Sequence, residues 1–244
     1  MARSLAIPAI VGIEAPLHEL KAMEGTVAVL DGYKGQLVIR PSEATLAESG
    51  AAETRHAHVT QELVRLRDTR AVTSDGRPIV LSVNIGRIED LASVAGCGAE
   101  GIGLFRTEFL FSDRDDFPSE DEQAEMYCRA ADAVKPHHVI LRTLDLGGDK
   151  LLPGVHVATE TNPFLGMRAI RFCLAHPEIL RVQLRAMLRA AAHAGGHVKI
   201  MYPMVCCVQE VRQANAMLAE ERARLEAGGL RIPEIEVGCM IEVP

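Results

Sequence analysis

Gly101-Ile102-Gly103-Leu104-Phe105-Arg106-Thr107-Glu108 decides the fold reading, because an apolar strand-forming run breaks off sharply into an arginine and a carboxylate. Short runs of this kind suit strands buried on both faces. Four more surround it: Ile79–Ile85 before it, and Val139–Leu144, Val198–Met204 and Ile235–Val243 after it. Helical stretches separate them. Ser119-Glu120-Asp121-Glu122 is a capping box opening one helix. Pro177 suits the first turn of a second, whose apolar face is Leu180, Leu184, Met187, Leu188 and Ala191. Val208, Val211, Ala214, Leu218 and Leu225 mark a third, stopped by Gly228-Gly229. Repeating β-α units predict a parallel sheet with helices outside, either an open doubly wound sheet or a (β/α)8 barrel.

Five strands fall short of the eight of a barrel. The last run, Met240-Ile241-Glu242-Val243-Pro244, has no helix after it to cover an apolar edge, so the chain reads as cut. The expected organisation is a β-rich tail of a domain at 1–45, a connecting helix at 46–76, and an incomplete run of β-α units, sheet or barrel, at 77–244. In the tail, Thr26–Leu30 and Gln36–Ile39 are strand-like runs joined through Asp31-Gly32-Tyr33-Lys34-Gly35, a hairpin signal. Val59, Leu63 and Leu66 recur at helical spacing in the connector, where His56 and His58 read as solvated.

The composition is that of a globular chain. Of 244 residues, 48% are apolar and 24% charged, and 26 basic against 33 acidic residues leave a net charge of −7. That balance argues against a nucleic-acid footprint or a polybasic membrane surface. No apolar run is long enough for membrane insertion, and the first ten residues lack the core of a signal peptide, so a cytoplasmic location is expected. The six cysteines (Cys97, Cys128, Cys173, Cys206, Cys207, Cys239) lack the spacing of a zinc site and are expected to be buried thiols.

In parallel α/β folds the reacting groups gather at the C-terminal ends of the strands. Here those ends carry Asn84; Arg106, Thr107 and Glu108; Arg142, Thr143 and Asp145, followed by Gly147-Gly148-Asp149-Lys150; and Glu242. Asn162, Arg168 and Arg171 add polar groups to the same rim. Arginine forks match carboxylate or phosphate oxygens, and two glycines beside Lys150 let backbone N–H groups approach an anion. A lone carboxylate suits Mg²⁺, which takes few protein ligands. The competing reading is that Arg106 with Glu108, or Arg142 with Asp145, are structural ion pairs closing the strand ends.

These residues resemble enzyme I of the phosphoenolpyruvate-dependent sugar phosphotransferase system. The resemblance rests on four segments, Gly101–Phe111, Arg142–Lys150, Asn162–Arg171 and Met240–Pro244. Residues Ala2–Gly12 also look like the stretch following the family's phosphohistidine. Pyruvate phosphate dikinase and phosphoenolpyruvate synthase are more distant likenesses. The resemblance implies the end of a phosphohistidine domain, a linker helix and the first part of a phosphoenolpyruvate-binding barrel. It implies that Arg106 and Arg142 hold phosphoenolpyruvate, that Lys150, Asn162 and Arg168 line or support the site, and that Glu242 is one of two Mg²⁺-binding carboxylates. By family, phosphoryl passes from phosphoenolpyruvate to an enzyme histidine and then to a histidine-containing phosphocarrier protein, in a homodimer. The phosphoacceptor histidine and general-acid cysteine match no residue here, so the isolated chain is expected to be inactive or to act as a binding subunit.

Overall fold

The computed structural model describes residues 7–13, 16–94, 96–111, 114, 116–147, 162 and 165–244. It divides into two compact units, Met1–Thr69 and Arg70–Pro244. The first holds a short helix α1 (Leu17–Lys21), strands β1 (Ala28–Asp31) and β2 (Gln36–Ile39), and a long helix α2 (Glu43–Leu66). The strands form the expected antiparallel hairpin, with Asp31 opposite Gln36. Asp31 Oδ1 closes the turn by accepting the backbone N–H groups of Lys34 and Tyr33, each at 3.0 Å. Those bonds, led by Lys34, hold its carboxyl below the ordinary carboxylate range.

Helix α2 starts at Ser42, whose Oγ accepts the Thr45 N–H at 3.2 Å. None of its residues is buried, and Val59, Leu63 and Leu66 all face solvent. His56 and His58 are exposed as expected, although the His56 ring stacks on Tyr33 at 4.2 Å.

Among its described residues the second unit contains five strands, β3 (Val83–Ile85), β4 (Gly101–Arg106), β5 (His138–Arg142), β6 (Val198–Tyr202) and β7 (Val237–Cys239). Between and beside them run α3 (Leu91–Val94), α4 (Glu120–Ala133), α5 (Ile170–Ala175), α6 (Pro177–Ala194) and α7 (Val208–Ala227). All strand pairs are parallel and the spatial order is β3-β4-β5-β6-β7. A doubly wound sheet reverses its strand order at a switch point, and this one does not. Unbroken sequential order is the winding of a (β/α)8 barrel, of which these strands form a part.

Two expectations about the strands need correction. The run Ile79–Ile85 supplies a strand only from Val83, and Ile79, Val80 and Leu81 are exposed. The chain there folds back on itself: Ile79 N–H donates to Ala71 O at 2.9 Å, and Val72 bridges Pro78. Nor are the strands buried on both faces. In β5, Val139 and Leu141 are fully buried while His138 and Ile140 are half-buried, and β6 alternates likewise. Right-handed crossovers in one direction place every helix on the same side of the sheet.

The core lies under those helices. Leu180, Leu184, Met187, Leu188 and Ala191 of α6 form its predicted face and are completely buried. Helix α6 begins with Pro177 and stops at Gly195, whose φ of +66° is the left-handed cap conformation. In α7 the buried set is Ala214, Met217, Leu218 and Glu221, whereas Val208 is exposed. Glu221 accepts from Arg181 at 2.7 Å and Arg185 at 3.0 Å. Burial alone would raise its carboxyl, but those two arginines outweigh it and hold it below the ordinary range.

The cysteines are also corrected. Cys173 is buried, and burial pushes its thiol up to about 12, but Cys97, Cys206 and Cys207 are exposed. Cys97 sits in a turn after α3, and Cys206 and Cys207 in the loop entering α7, where no layer covers them.

The capping box of α4 forms in full. Ser119 Oγ accepts the Glu122 N–H at 3.2 Å, and Glu122 Oε2 accepts the Ser119 N–H at 2.7 Å. The Ser119 backbone, the Ser119 hydroxyl and Arg114 together hold the Glu122 carboxyl at about 2. A carboxyl depressed from 4.5 to about 2 adds stability above pH 4.5 that is lost as pH falls towards 2. Glu122→Gln therefore flattens the acid limb of the unfolding curve between those values in urea titrations. An acid limb identical to the parent's would remove this role.

Candidate functional site

Because all five strands are parallel, their C-terminal ends share one rim. Arg106 and Arg142 are register partners on neighbouring strands, so the two arginines emerge side by side. Their surroundings differ. Arg106 is exposed, makes no ion pair among the described residues, and lies over the Phe109 ring at 5.4 Å. Arg142 is buried, its Nη2 paired with Glu108 and with Asp145 Oδ2 at 3.2 Å. Arg168 grips the same aspartate in a fork, Nε to Oδ1 at 2.8 Å and Nη2 to Oδ2 at 3.3 Å. Two arginines and two carboxylates thus form a buried, charge-balanced cluster. Burial pushes the Glu108 carboxyl up, with Arg142 opposing.

Backbone geometry holds the cluster in place. Gly147 bridges Arg168 with φ at +130°, and a Cβ there would lie 2.5 Å from Met167 O. Ala169 at φ +54° donates its N–H to Leu146 O at 3.0 Å. Both positive-φ positions lie beside Arg168; glycine adopts its angle freely, whereas at Ala169 it is strain of the kind that collects at working sites.

On the far side, Glu242 follows β7. Its Oε1 accepts the N–H of Met204, another left-handed residue at φ +55°, at 2.8 Å. Arg142 reaches the same strand end, with Nη1 at 3.7 Å from Met240 Sδ. The Glu242 side chain makes no other hydrogen bond among the described residues, which leaves Oε2 for a cation. No group of three His, Cys, Asp or Glu side chains among the described residues is placed to hold a metal ion. The Arg142 Nε donor is buried without a partner among the described residues, an orphan of the kind found where a site takes a ligand.

The structure thus brings together Arg106, Arg142, Arg168 and the end of β7, which Glu242 follows. Asn162 is exposed, and Arg171 turns to Leu165 O at 2.9 Å. Lys150, with Gly148 and Asp149 of the predicted anion nest, lies outside the described residues, as does the first part, residues 2–6, of the Ala2–Gly12 stretch. The structural ion-pair reading holds for Arg142 with Asp145. It fails for Arg106 with Glu108, because Glu108 turns to Arg142. Thr107, one of the predicted strand-end groups, bonds behind the cluster to Gln183, a residue the sequence does not point to as part of the site. The available signal was a glutamine set into the apolar face of α6, between Leu180 and Leu184.

Residues 60–244 match the family model for the PEP-utilising enzyme, PEP-binding domain. The chain belongs to the PEP-utilising enzyme family. The matched span takes in all five strands and each strand-end residue of the cluster. Among the family's curated members, a phosphoenolpyruvate-protein phosphotransferase of Staphylococcus carnosus is 48% identical over the whole of this chain. Proteins of the same name from Priestia megaterium and Listeria innocua are each 42% identical, again over 100% of the chain. The chain spans 42% of the length of each of these three relatives. No helix among the described residues is long and apolar enough to cross a membrane.

Proposed function

We propose that the strand-end rim binds phosphoenolpyruvate together with Mg²⁺, and that the chain serves phosphoryl transfer from phosphoenolpyruvate to a histidine and on to a histidine-containing phosphocarrier protein. The observation that carries this reading is the contrast between Arg106 and Arg142. One arginine is uncommitted and exposed beside a second held immobile by two carboxylates. A multiply charged anion gains most from such a pair: the free guanidinium captures it, and the fixed one orients it without losing side-chain entropy. Phosphoryl transfer draws its rate chiefly from positioning and from offsetting charge on the moving group, which arginines and a cation supply.

Arg168 acts through Asp145 to keep Arg142 in place, and Asn162 and Lys150 complete the anion contacts. Glu242 fits Mg²⁺ as a single carboxylate ligand, with water and phosphate oxygens filling the other positions. When bound, Mg²⁺ offsets charge on the phosphoryl oxygens. A homodimer in solution belongs to the same reading.

Calorimetric titration of the whole chain with phosphoenolpyruvate tests it. Binding with a dissociation constant of about 1 mM or tighter is expected with Mg²⁺, and about tenfold weaker binding without it. Absence of binding at several times that concentration, or equal affinity with and without the metal, counts against the reading.

A further inference from the structure

We infer that Gln183 is the positioning residue that fixes the distance between the two site-bearing strand ends, the one carrying Thr107 and Glu108 and the one carrying Arg142 and Asp145. Its consequence for binding rests on the phosphoenolpyruvate reading above. Its structural part rests on geometry alone.

Gln183 lies on the apolar face of α6 and is 1% exposed. Its Oε1 accepts the Leu144 N–H at 2.8 Å, and its Nε2 donates to Thr107 Oγ1 and Tyr127 Oη, both at 3.2 Å. A backbone N–H can only donate, so Oε1 must face Leu144 and the amide has a single orientation. Thr107 in turn donates its hydroxyl to Arg142 O at 2.8 Å. One side chain therefore closes a ring through both strand ends: Arg142 O, Thr107, Gln183 and Leu144 N–H.

This ring begins where the sheet stops helping. The β4–β5 ladder ends at the pair Arg106 and Arg142, and beyond it Thr143 N–H turns to β6, donating to Met201 O at 2.9 Å. Past that point, Gln183 and Thr107 make the cross-link behind the cluster. The ring is anchored outward as well. Tyr127 Oη donates to Gln123 Oε1 at 3.2 Å, and Gln123 Nε2 donates to Pro118 O at 3.0 Å. A leucine or methionine would fill the same volume, and burying an amide is costly unless every bond is made. A fully satisfied buried network specifies one geometry where apolar packing tolerates several. Strand ends held this way keep Glu108 on Arg142 and Arg142 beside Arg106.

The test uses the whole chain and two variants. In Gln183→Met, the Leu144 amide should exchange with deuterium about tenfold faster or more, relative to Val139 in the same strand. Affinity for phosphoenolpyruvate should fall by about tenfold or more. Tyr127→Phe removes the Gln183–Tyr127 bond and the anchor beyond it, but keeps the two bonds that close the ring, Gln183 to Thr107 and Gln183 to Leu144. It should lower the urea midpoint yet leave Leu144 exchange and affinity within about twofold of the parent. Should Gln183→Met fail to fold, Thr107→Val opens the ring elsewhere and should weaken affinity in the same direction. The inference is overturned if Leu144 exchange is unchanged in Gln183→Met, or if Tyr127→Phe loses affinity equally. A parent chain that does not bind phosphoenolpyruvate rejects the functional reading instead, and the exchange ratio still decides the positioning role.

Discussion

Replacing Arg142 with alanine is expected to abolish the proposed phosphoenolpyruvate binding and to lower unfolding stability by about 3–5 kcal/mol. Both effects follow from its burial between Glu108 and Asp145. Asp145 keeps the Arg168 fork, but Glu108 loses the guanidinium that offsets its burial. Breaking a buried pair is costly because the remaining charge loses compensation, whatever the pair's net worth.

The loss carries a pH signature. Burial already raises the Glu108 carboxyl, and removing Arg142 raises it further. A group whose folded pKa exceeds its unfolded value stabilises below the unfolded value and loses that contribution as pH rises. The deficit of Arg142→Ala against the parent is therefore smaller near pH 5 than near pH 8 in paired urea titrations. Adding Glu108→Gln to Arg142→Ala recovers part of the stability while binding stays absent, separating the two roles of the arginine. A deficit independent of pH, or binding within twofold of the parent, would falsify this account.

Gly147→Ala is expected to cost about 3 kcal/mol or more and to weaken phosphoenolpyruvate binding about a hundredfold. A Cβ would meet Met167 O at 2.5 Å and Arg168 Cα at 2.9 Å, both backbone atoms, and φ is +130°. The backbone must open, carrying Arg168 away from Asp145 and loosening Arg142. Gly76 is the control. It too has positive φ, at +85°, but nothing lies within 4 Å of an added Cβ and it is remote in sequence from the rim. Gly76→Ala should cost about 1 kcal/mol and leave binding alone. Thermal melts and titrations of the two variants in parallel decide the matter; equal effects would mean that conformational strain, not the approach of the Arg168 segment, matters at Gly147.

Much of this protein is legible without its structure. Ser119 with Glu122 sets one helix start through bonds made within a few residues, and Pro177 sets another through its fixed φ. The apolar face of α6 follows from helical spacing alone, and the strand-forming runs locate all five strands. Strand ends in a parallel sheet must share one rim, so Arg106, Arg142 and Glu242 could be placed on it from their positions in those runs. What the sequence left open concerns partners far apart along the chain. Doubly wound sheet and barrel share the same β-α repeat and differ only in spatial strand order. Arg142 had carboxylates within reach of local spacing, but its closest partner is Glu108 on the neighbouring strand. Gln183 reads as a flaw in an apolar face until Leu144 and Thr107 are brought to it by the packing of α6 on the sheet. Hydrogen bonds and ion pairs act over a few ångströms, so groups dozens of residues apart become partners only when strand register and helix packing set that distance.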